Sequence, residues 1–416
     1  MIQKARTKIY NLLRWSERYA QTDMVYLAKG GFWLTAGKFI SSAASFLLSI
    51  AFANLIPKET YGIYKYVLSI VGLLAISNLT GMESSLVRSI AQGFEGSFKK
   101  AFFAKVKWGI FGSLLGIGFA IYYYTQQNWT LTICFLMSAV FIPLMDPLEI
   151  HQAILGGKKD FKLSAKFSAI GQIFGVFAMI LALVTTKNIA LIIFAYFAAN
   201  TFIRYVLLKI TLKKFPLNQK VDPETVSYGK HLSVMNFFGI LSAQADKILL
   251  WHFLGAAPLA IYSFALAPIS QISNSLKSVN QLFLPKLAEK DKEVIKKTLP
   301  KKMIKFYLLM FFIILTYIIL APFLYKVFFP QYLEAVNYSR VYALVLLFFP
   351  QKLLSTALLA YGQKKGLYIV STISPIIKLS LFFILIPIFG VWGAIYAMFS
   401  PFIFNAVALS YYFRKM

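Results

Sequence analysis

Twelve long apolar runs divide this sequence from end to end, and each is about as long as a bilayer-crossing helix. A membrane-spanning helix needs roughly 20 predominantly apolar residues. Hydrophobic residues form 59% of the chain and charged residues only 14%, far from the composition of soluble proteins. The sequence therefore predicts an all-α membrane protein with about twelve spanning helices. The runs lie near residues 31–56, 62–82, 106–124, 131–155, 163–184, 189–208, 232–254, 258–284, 303–324, 341–359, 367–388 and 391–413.

Lysine and arginine are distributed unevenly among the connections between these runs. The N-terminal segment and every second connection after it hold 32 of these residues, whereas the other connections hold only four. Cytoplasmic loops of membrane proteins carry such an excess of positive charge, so both termini are predicted to be cytoplasmic. Because the basic residues cluster between apolar runs and do not line amphipathic elements, nucleic acid is not expected as a partner despite a net charge of +28.

Two short turns of the sequence resemble each other, which indicates an internal repeat. Residues 55–64 and 253–262 each lead into an even-numbered run, and in each a small residue directly precedes an Ile-Tyr pair. We predict two six-helix lobes of the same orientation, an arrangement typical of transporters with the substrate site between the lobes. The predicted divisions are a basic amphipathic cytosolic segment (1–29), a first lobe (30–210), a cytoplasmic linker (211–230) and a second lobe (231–416).

Sequence motifs of soluble enzymes are missing from the chain. It has no P-loop, no dinucleotide fingerprint and no Cys/His set with zinc spacing. We predict that the protein is not an enzyme, with no catalytic residue, no metal site and no cofactor. Because no ATP-binding motif is present, transport is expected to use a proton or sodium gradient, or the membrane potential.

Polar residues recur along one face of the first, second, seventh and eighth runs, which predicts a hydrated central cavity. In the first run Thr35, Lys38, Ser42, Ser45 and Ser49 fall within an arc of about 80°. Ordinary helix packing through small and hydroxyl side chains is the alternative for the serines. The predicted cavity residues are Lys38, Ser42 and Ser45 in the first run, Lys65 in the second, Asn274, Lys277 and Gln281 in the eighth, and Lys378 in the eleventh.

Charged side chains at membrane depth are costly and normally face protein or water. Snorkelling of a long side chain to the interface is the alternative for Lys38 and Lys277, and the better explanation for Arg204. Lys378 lies too near the middle of its run for that explanation. The acidic candidates for ion coupling are Asp246, Asp146 and Glu149, although Asp246 and Asp146 are equally suited to neutralise a lysine across the cavity. Since lysines outnumber acids, the cavity is expected to favour an anionic substrate.

Four short segments together resemble a known family of membrane proteins. They are Gly31-Phe32-Trp33, the turn Pro57 to Tyr64, Asp246-Lys247-Ile248-Leu249-Leu250 and the turn Leu259-Ala260-Ile261-Tyr262. In combination and spacing they resemble the Wzx-type polysaccharide biosynthesis flippases, the O-antigen and capsule translocases of the multidrug/oligosaccharidyl-lipid/polysaccharide (MOP) exporter superfamily.

The resemblance implies a MATE-like V of two lobes that opens alternately inward and outward in the cytoplasmic membrane of a prokaryote. It implies a polyprenyl-diphosphate-linked oligosaccharide as substrate, moved from the cytoplasmic to the outer leaflet during lipopolysaccharide or other polysaccharide biosynthesis. The partners implied are this glycolipid, membrane lipids and other polysaccharide-assembly proteins. Alternatives are a multidrug antiporter of the same superfamily, which would need an acidic cavity, and a membrane-embedded glycosyltransferase or polymerase, which would need acidic motifs and a long outer loop.

Overall fold

The computed structural model describes residues 24–281, 292–361 and 363–415, and within these ranges the chain is helical and contains no strand. The predicted segment 1–29 lies mostly outside the described residues. The α-helices are α1 (Met24–Leu55), α2 (Lys58–Leu74), α3 (Met82–Ala91), α4 (Ser97–Thr125), α5 (Trp129–Leu148), α6 (His151–Gly157), α7 (Phe161–Thr185), α8 (Ile189–Lys214), α9 (Thr225–Leu254), α10 (Ala256–Gln281), α11 (Lys292–Phe328), α12 (Ala335–Ala343), α13 (Lys352–Ala360), α14 (Lys364–Phe389) and α15 (Val391–Lys415).

Eleven helical stretches of the described chain are long and apolar enough to cross a membrane. The helix α9 adds a twelfth of spanning length, because its 30 residues extend about 45 Å. It falls outside the apolar set since its central part carries polar residues, among them Asp246 and Lys247. The prediction of about twelve spanning helices is therefore confirmed. In hydrocarbon every backbone group must be satisfied within its own segment, which is why long apolar runs become helices.

The helices α1–α8 form the first lobe and α9–α15 the second, with six spans each. The repeat is visible in the fourth and tenth spans, Trp129–Gly157 and Ala335–Leu359, because both are interrupted helices. The fourth breaks just after Pro147, and the tenth passes through a 3-10 segment that contains Pro350. Each interruption lies at a proline, a residue that removes a backbone donor and clashes with the preceding turn.

The connection between the lobes covers residues 215–224, which is shorter than predicted because α8 continues to Lys214 and α9 begins at Thr225. It is tied to the first lobe by polar contacts. Glu95 forms an ion pair with Lys158 and accepts a hydrogen bond from the backbone N–H of Asn218 at 3.0 Å. These two donors lower the pKa of the Glu95 carboxyl, so it stays ionised at neutral pH. The connection therefore belongs mechanically to the first lobe.

One continuous contact joins the two lobes along a single side of the molecule. The segment formed by α2, the 3-10 turn Ala75–Asn78 and α3 runs antiparallel to α9. We call this contact the α2–α9 seam. Its contacts are a stacked Tyr66–Trp251 pair with centroids 4.3 Å apart, Gly72 beside Gln244, a 2.9 Å hydrogen bond from Gly81 N to Ser233 Oγ, and a 2.6 Å hydrogen bond from Ser85 Oγ to the Thr225 carbonyl.

Candidate substrate cavity

A cavity of about 490 Å³ lies between the lobes. Helices α1 and α2 of the first lobe and α9, α10 and α14 of the second supply most of its wall. Three lysines and one aspartate are among the lining residues: Lys65, Lys247, Lys378 and Asp246. Serines and tyrosines of the same helices supply most of the remaining polar groups. The arrangement places ammonium groups in a confined polar space at the junction of the two lobes.

Asp246 is buried, and its carboxylate is already surrounded by donors. The Tyr262 hydroxyl donates a hydrogen bond to Asp246 Oδ2 at 2.7 Å. Oδ1 accepts one from the backbone N–H of Lys247 at 2.9 Å, and the Lys247 ammonium lies 3.4 Å from the same oxygen. Lys378 donates to the carbonyl of Ser242, which lies one turn before Asp246 on the same helix, at 3.0 Å. This geometry is that of a counter-ion already engaged by Lys247 and Tyr262.

Lys65 differs from the other two lysines, because none of the carboxylates in the described ranges forms an ion pair with it. Its ammonium lies over the ring of Tyr61, 5.2 Å from the centroid. Such a cation–π contact contributes modestly and leaves N–H donors of the ammonium free to bind another group. Lys65 is therefore the lysine of this cavity that is best placed to contact a bound anion.

An aromatic cluster closes one end of the cavity, and we call it the aromatic plug. Its five buried side chains come from both lobes: Phe52, Tyr61 and Tyr64 from the first, Phe264 and Tyr332 from the second. Ring centroids are 4.7 Å apart for Phe52–Tyr64, 4.6 Å for Tyr61–Phe264 and 3.9 Å for Phe264–Tyr332. All five lie near the end at which α1 finishes and α2 and α10 begin, so the plug seals this end.

An ion pair, a hydrogen bond and a close backbone approach also join the lobes beside the plug. Lys58 Nζ and Glu334 Oε1 form an ion pair at 2.9 Å, and Asn54 Nδ2 donates to the Phe328 carbonyl at 3.0 Å. At Gly62 the helices α2 and α10 touch so closely that a Cβ atom would lie 2.1 Å from the Ala256 carbonyl oxygen. Only glycine permits this approach.

The two similar turns of the sequence meet at this same end. Their shared Ile-Tyr pattern aligns Tyr64 with Tyr262, and both tyrosines are buried and line the cavity. The repeat thus places equivalent tyrosines on equivalent helices of the two lobes.

The structure brings only part of the predicted set to the cavity. Ser45, Lys65, Lys378 and Asp246 line it, together with Ser49 of the predicted polar face of the first run and Ser270 on α10. The Ser45 hydroxyl donates to the Ser41 carbonyl of its own helix at 2.9 Å, as the packing interpretation of the serines expects. Ser45 also accepts a 3.0 Å hydrogen bond from Gln172.

The remaining predicted residues lie elsewhere. On α1 the cavity wall begins at Ser45, so the half-buried Ser42 is one turn away and the exposed Lys38 two turns away, about 10 Å along the helix. Asn274 lines a smaller cavity of about 180 Å³, which adjoins the first because Ser270 and Tyr342 border both. Lys277 and Gln281 belong to α10, but their side chains lie outside the described residues.

Several lining residues were not predicted as part of the cavity, among them Lys247 and Tyr342. A signal for Lys247 existed, since an Asp-Lys pair inside an apolar helix is unusual. Tyr342 carries no comparable signal, because an aromatic residue is ordinary in any membrane helix.

Asp146 and Glu149 do not join Asp246, and they form a separate polar site within the first lobe. Arg204 of α8 lies 2.9 Å from Glu149 and 3.6 Å from Asp146, and it donates to the Met145 carbonyl at 3.0 Å. Asn78 donates to Asp146 at 2.6 Å. The snorkelling prediction for Arg204 is therefore wrong, because its guanidinium points into the lobe and is paired there.

Two six-helix lobes around an interfacial polar cavity define the class, a multi-pass transporter with the fold of the MOP superfamily. Among solved structures, the lipid II flippase MurJ in an inward closed conformation matches with a TM-score of 0.71, at 14% identity over 92% of this chain and 87% of MurJ. An inward-facing multidrug resistance MATE family transporter of the MOP superfamily matches with a TM-score of 0.60, at 12% identity over 90% of this chain and 94% of that one.

Sequence comparison carries the assignment beyond the fold. The chain is 21% identical over 387 residues to a predicted O-antigen transporter of Shigella flexneri, which covers 86% of this chain and 90% of that protein. Residues 27–290 match the polysaccharide biosynthesis protein family, and the chain belongs to this family. The recognition of a Wzx-type polysaccharide flippase from the sequence is confirmed.

Proposed function

We propose that this protein moves a polyprenyl-diphosphate-linked oligosaccharide from the cytoplasmic to the outer leaflet by alternating access, and that it is not an enzyme. The observation that carries the proposal is the charge of the cavity wall. Three lysines face one aspartate, and that aspartate already accepts hydrogen bonds from Tyr262 and Lys247. The surplus of ammonium groups favours an anion such as a diphosphate, because a confined site of one sign concentrates the opposite charge.

The same observation argues against the runner-up function, a multidrug antiporter. A cavity for organic cations would require a surplus of carboxylates. Among the described lining residues the one carboxylate, Asp246, is already paired with Lys247 and hydrogen-bonded by Tyr262. An organic cation entering the cavity would have to displace Lys247 from Asp246, and Lys65 and Lys378 would still repel it.

The proposed orientation places both termini in the cytoplasm and the aromatic plug on the outer side. The plug lies at the junction of α1 and α2, on the side of the few sparsely charged connections. The structure then corresponds to a state whose cavity is closed toward the outside. We place the protein in the cytoplasmic membrane of a prokaryote, where polysaccharide-assembly proteins would supply and consume the glycolipid.

Cysteine accessibility tests this orientation. In a Cys134→Ala background, single cysteines at Glu59 and Lys187 should react with an impermeant thiol reagent added to intact cells. Cysteines at Lys99 and Lys213 should react only after permeabilisation, because they lie in the basic connections. All four side chains are exposed, so differences in labelling report the side of the membrane. Labelling of Lys99→Cys or Lys213→Cys in intact cells would contradict the orientation.

Translocation in liposomes tests the function and its driving force. A diphosphate with about two negative charges gains roughly 2.3 kcal/mol per charge per 100 mV when it leaves a negative interior. With a labelled polyprenyl-diphosphate oligosaccharide, a potassium-diffusion potential should therefore accelerate movement away from the negative compartment, and the opposite potential should slow it. No translocation of this glycolipid at any potential would refute the proposed substrate class, whereas equal rates under both potentials would refute only the electrical driving force.

Ion coupling through carboxylates is the alternative driving force, and translocation in the same liposomes can be measured with an imposed ion gradient to test it. We propose Asp246 as the coupling residue in the cavity, and Asp146 with Glu149 as the second candidate site. Asp246→Asn should weaken the dependence of translocation on a proton or sodium gradient more than it weakens substrate binding. An unchanged dependence would assign Asp246 the role of counter-ion alone.

A further inference from the structure

A second, almost purely apolar groove of about 710 Å³ lies on the outside of the molecule. It separates α4 of the first lobe from α9 of the second, and residues around the 3-10 turn Ala75–Asn78 form its floor. Its principal walls are Trp108, Phe111 and Leu115 on α4, and Lys230, Val234 and Phe237 on α9.

The groove faces the bilayer and not the central cavity. On α9 the groove residues Lys230, Val234, Phe237 and Leu241 follow a spacing of four, three and four, so they share one face of the helix. At 100° per residue this face lies about 120–180° around α9 from Asp246, which points into the cavity. The α2–α9 seam lies between the two spaces. A lipid chain in the groove therefore cannot be the tail of a head group that occupies the cavity.

The dimensions and the charge of the groove match one lipid of one leaflet. From Lys230 to Leu241 the helix rises about 16 Å, roughly half of a 30 Å hydrocarbon core. Lys230 closes the end that faces the basic connections, with its ammonium 5.5 Å from the centroid of the Trp108 ring. Tryptophan prefers the membrane interface, so this end lies at head-group level. Trp108, Phe111 and Val234 are exposed on the protein surface and available to an acyl chain.

We propose that an anionic phospholipid occupies this groove, with one acyl chain between α4 and α9 and its phosphate beside Lys230. Basic positions between membrane helices on the cytoplasmic side attract anionic head groups, and one lysine contributes about 1 kcal/mol, or roughly a fivefold preference over a zwitterionic lipid. Since the two walls belong to different lobes, the lipid would also bridge the lobes beside the α2–α9 seam.

Quenching of Trp108 fluorescence by brominated acyl chains tests the proposal. The protein is placed in phosphatidylcholine nanodiscs that contain increasing fractions of brominated phosphatidylglycerol or brominated phosphatidylcholine. The Trp108 signal is the difference between the unmodified protein and Trp108→Phe. Half-quenching should need a roughly fivefold smaller fraction of the anionic lipid, corresponding to the single lysine contact.

Two variants and one matched control make the test specific. Lys230→Gln should abolish the preference for phosphatidylglycerol. Lys209→Gln should leave it unchanged, because Lys209 has the same relation to an aromatic ring, 5.5 Å from Tyr205, but does not line this groove. Val234→Phe should narrow the groove and weaken quenching by both lipids. Equal quenching by the two lipids in the unmodified protein, or an unchanged preference in Lys230→Gln, would overturn the proposal and leave ordinary annular lipid. Unaltered quenching in Val234→Phe would also overturn it.

Discussion

Replacement of Lys65 by glutamine is expected to lower glycolipid translocation by about ten- to a hundredfold while the protein remains folded. A hydrogen bond to a charged group contributes about 1.5–3 kcal/mol, and the variant loses the ammonium that is best placed to contact the diphosphate. Because Lys65 has no carboxylate partner in the described part of the chain, its removal leaves no buried acid unpaired. The measurement is the initial rate of translocation in liposomes, at equal amounts of inserted protein.

Substitutions of the other cavity lysines would be harder to interpret, so Lys65 provides the decisive test of the cavity's role in transport. Removal of Lys378 would take a donor from the Ser242 carbonyl, and removal of Lys247 would take the ion-pair partner from the buried Asp246. In both variants folding and transport would change together. Lys65→Arg should keep intermediate activity, since it retains the charge but presents a planar fork in place of a compact ammonium. Lys209→Gln, which does not change the cavity lining, serves as the control for loss of a positive charge. A normal rate in Lys65→Gln would remove this residue from the substrate path.

Substitution of Gly62 by alanine is expected to open the plugged end of the cavity. The added Cβ would lie 2.1 Å from the carbonyl oxygen and 2.8 Å from the Cα of Ala256, and backbone atoms cannot rotate away as a side chain can. The helices α2 and α10 must therefore separate where the two lobes meet. In a Cys134→Ala background, Ser263→Cys on the cavity wall should be labelled severalfold faster by an impermeant reagent added outside.

A matched glycine controls for the effect of alanine itself. Gly118 on α4 has no heavy atom within 4 Å of an added Cβ, so Gly118→Ala should leave the labelling of Ser263→Cys unchanged. A weaker effect in the same direction is expected from Glu334→Gln, which removes an exposed ion pair worth about 0–1 kcal/mol. Labelling that is equally slow in the Gly62→Ala protein would show that the plug does not depend on this close approach.

The helices and the repeat could be predicted because a bilayer imposes simple rules on a chain. Long apolar runs must form helices, and the similar turns at residues 55–64 and 253–262 carry enough local pattern to identify two lobes. The linker was placed only approximately. Its helical neighbours extend beyond the apolar runs into polar residues, and nothing in their periodicity indicates where a helix ends in water.

The cavity was harder to predict, because periodicity gives the face of a helix but not the depth at which a cavity ends. Lys38 and Ser45 share a face of α1, yet the described cavity wall begins only at Ser45. The pairing of Arg204 with Asp146 and Glu149 joins residues more than 50 positions apart. Such a contact follows from the packing of α5 against α8 and leaves no local sequence pattern.

The α2–α9 seam has a consequence for the path of a large glycolipid. A contact that is closed from one membrane face to the other acts as a hinge between the lobes. Any motion that preserves this hinge must separate the lobes at the opposite edge, where α1 of the first lobe meets α10 of the second. The sugar and diphosphate would turn inside, among the lysines, while a hydrocarbon tail too long to enclose stays in the bilayer beyond that free edge. Two lobes could thereby move a head group of a few sugars from one leaflet to the other without enclosing the lipid tail.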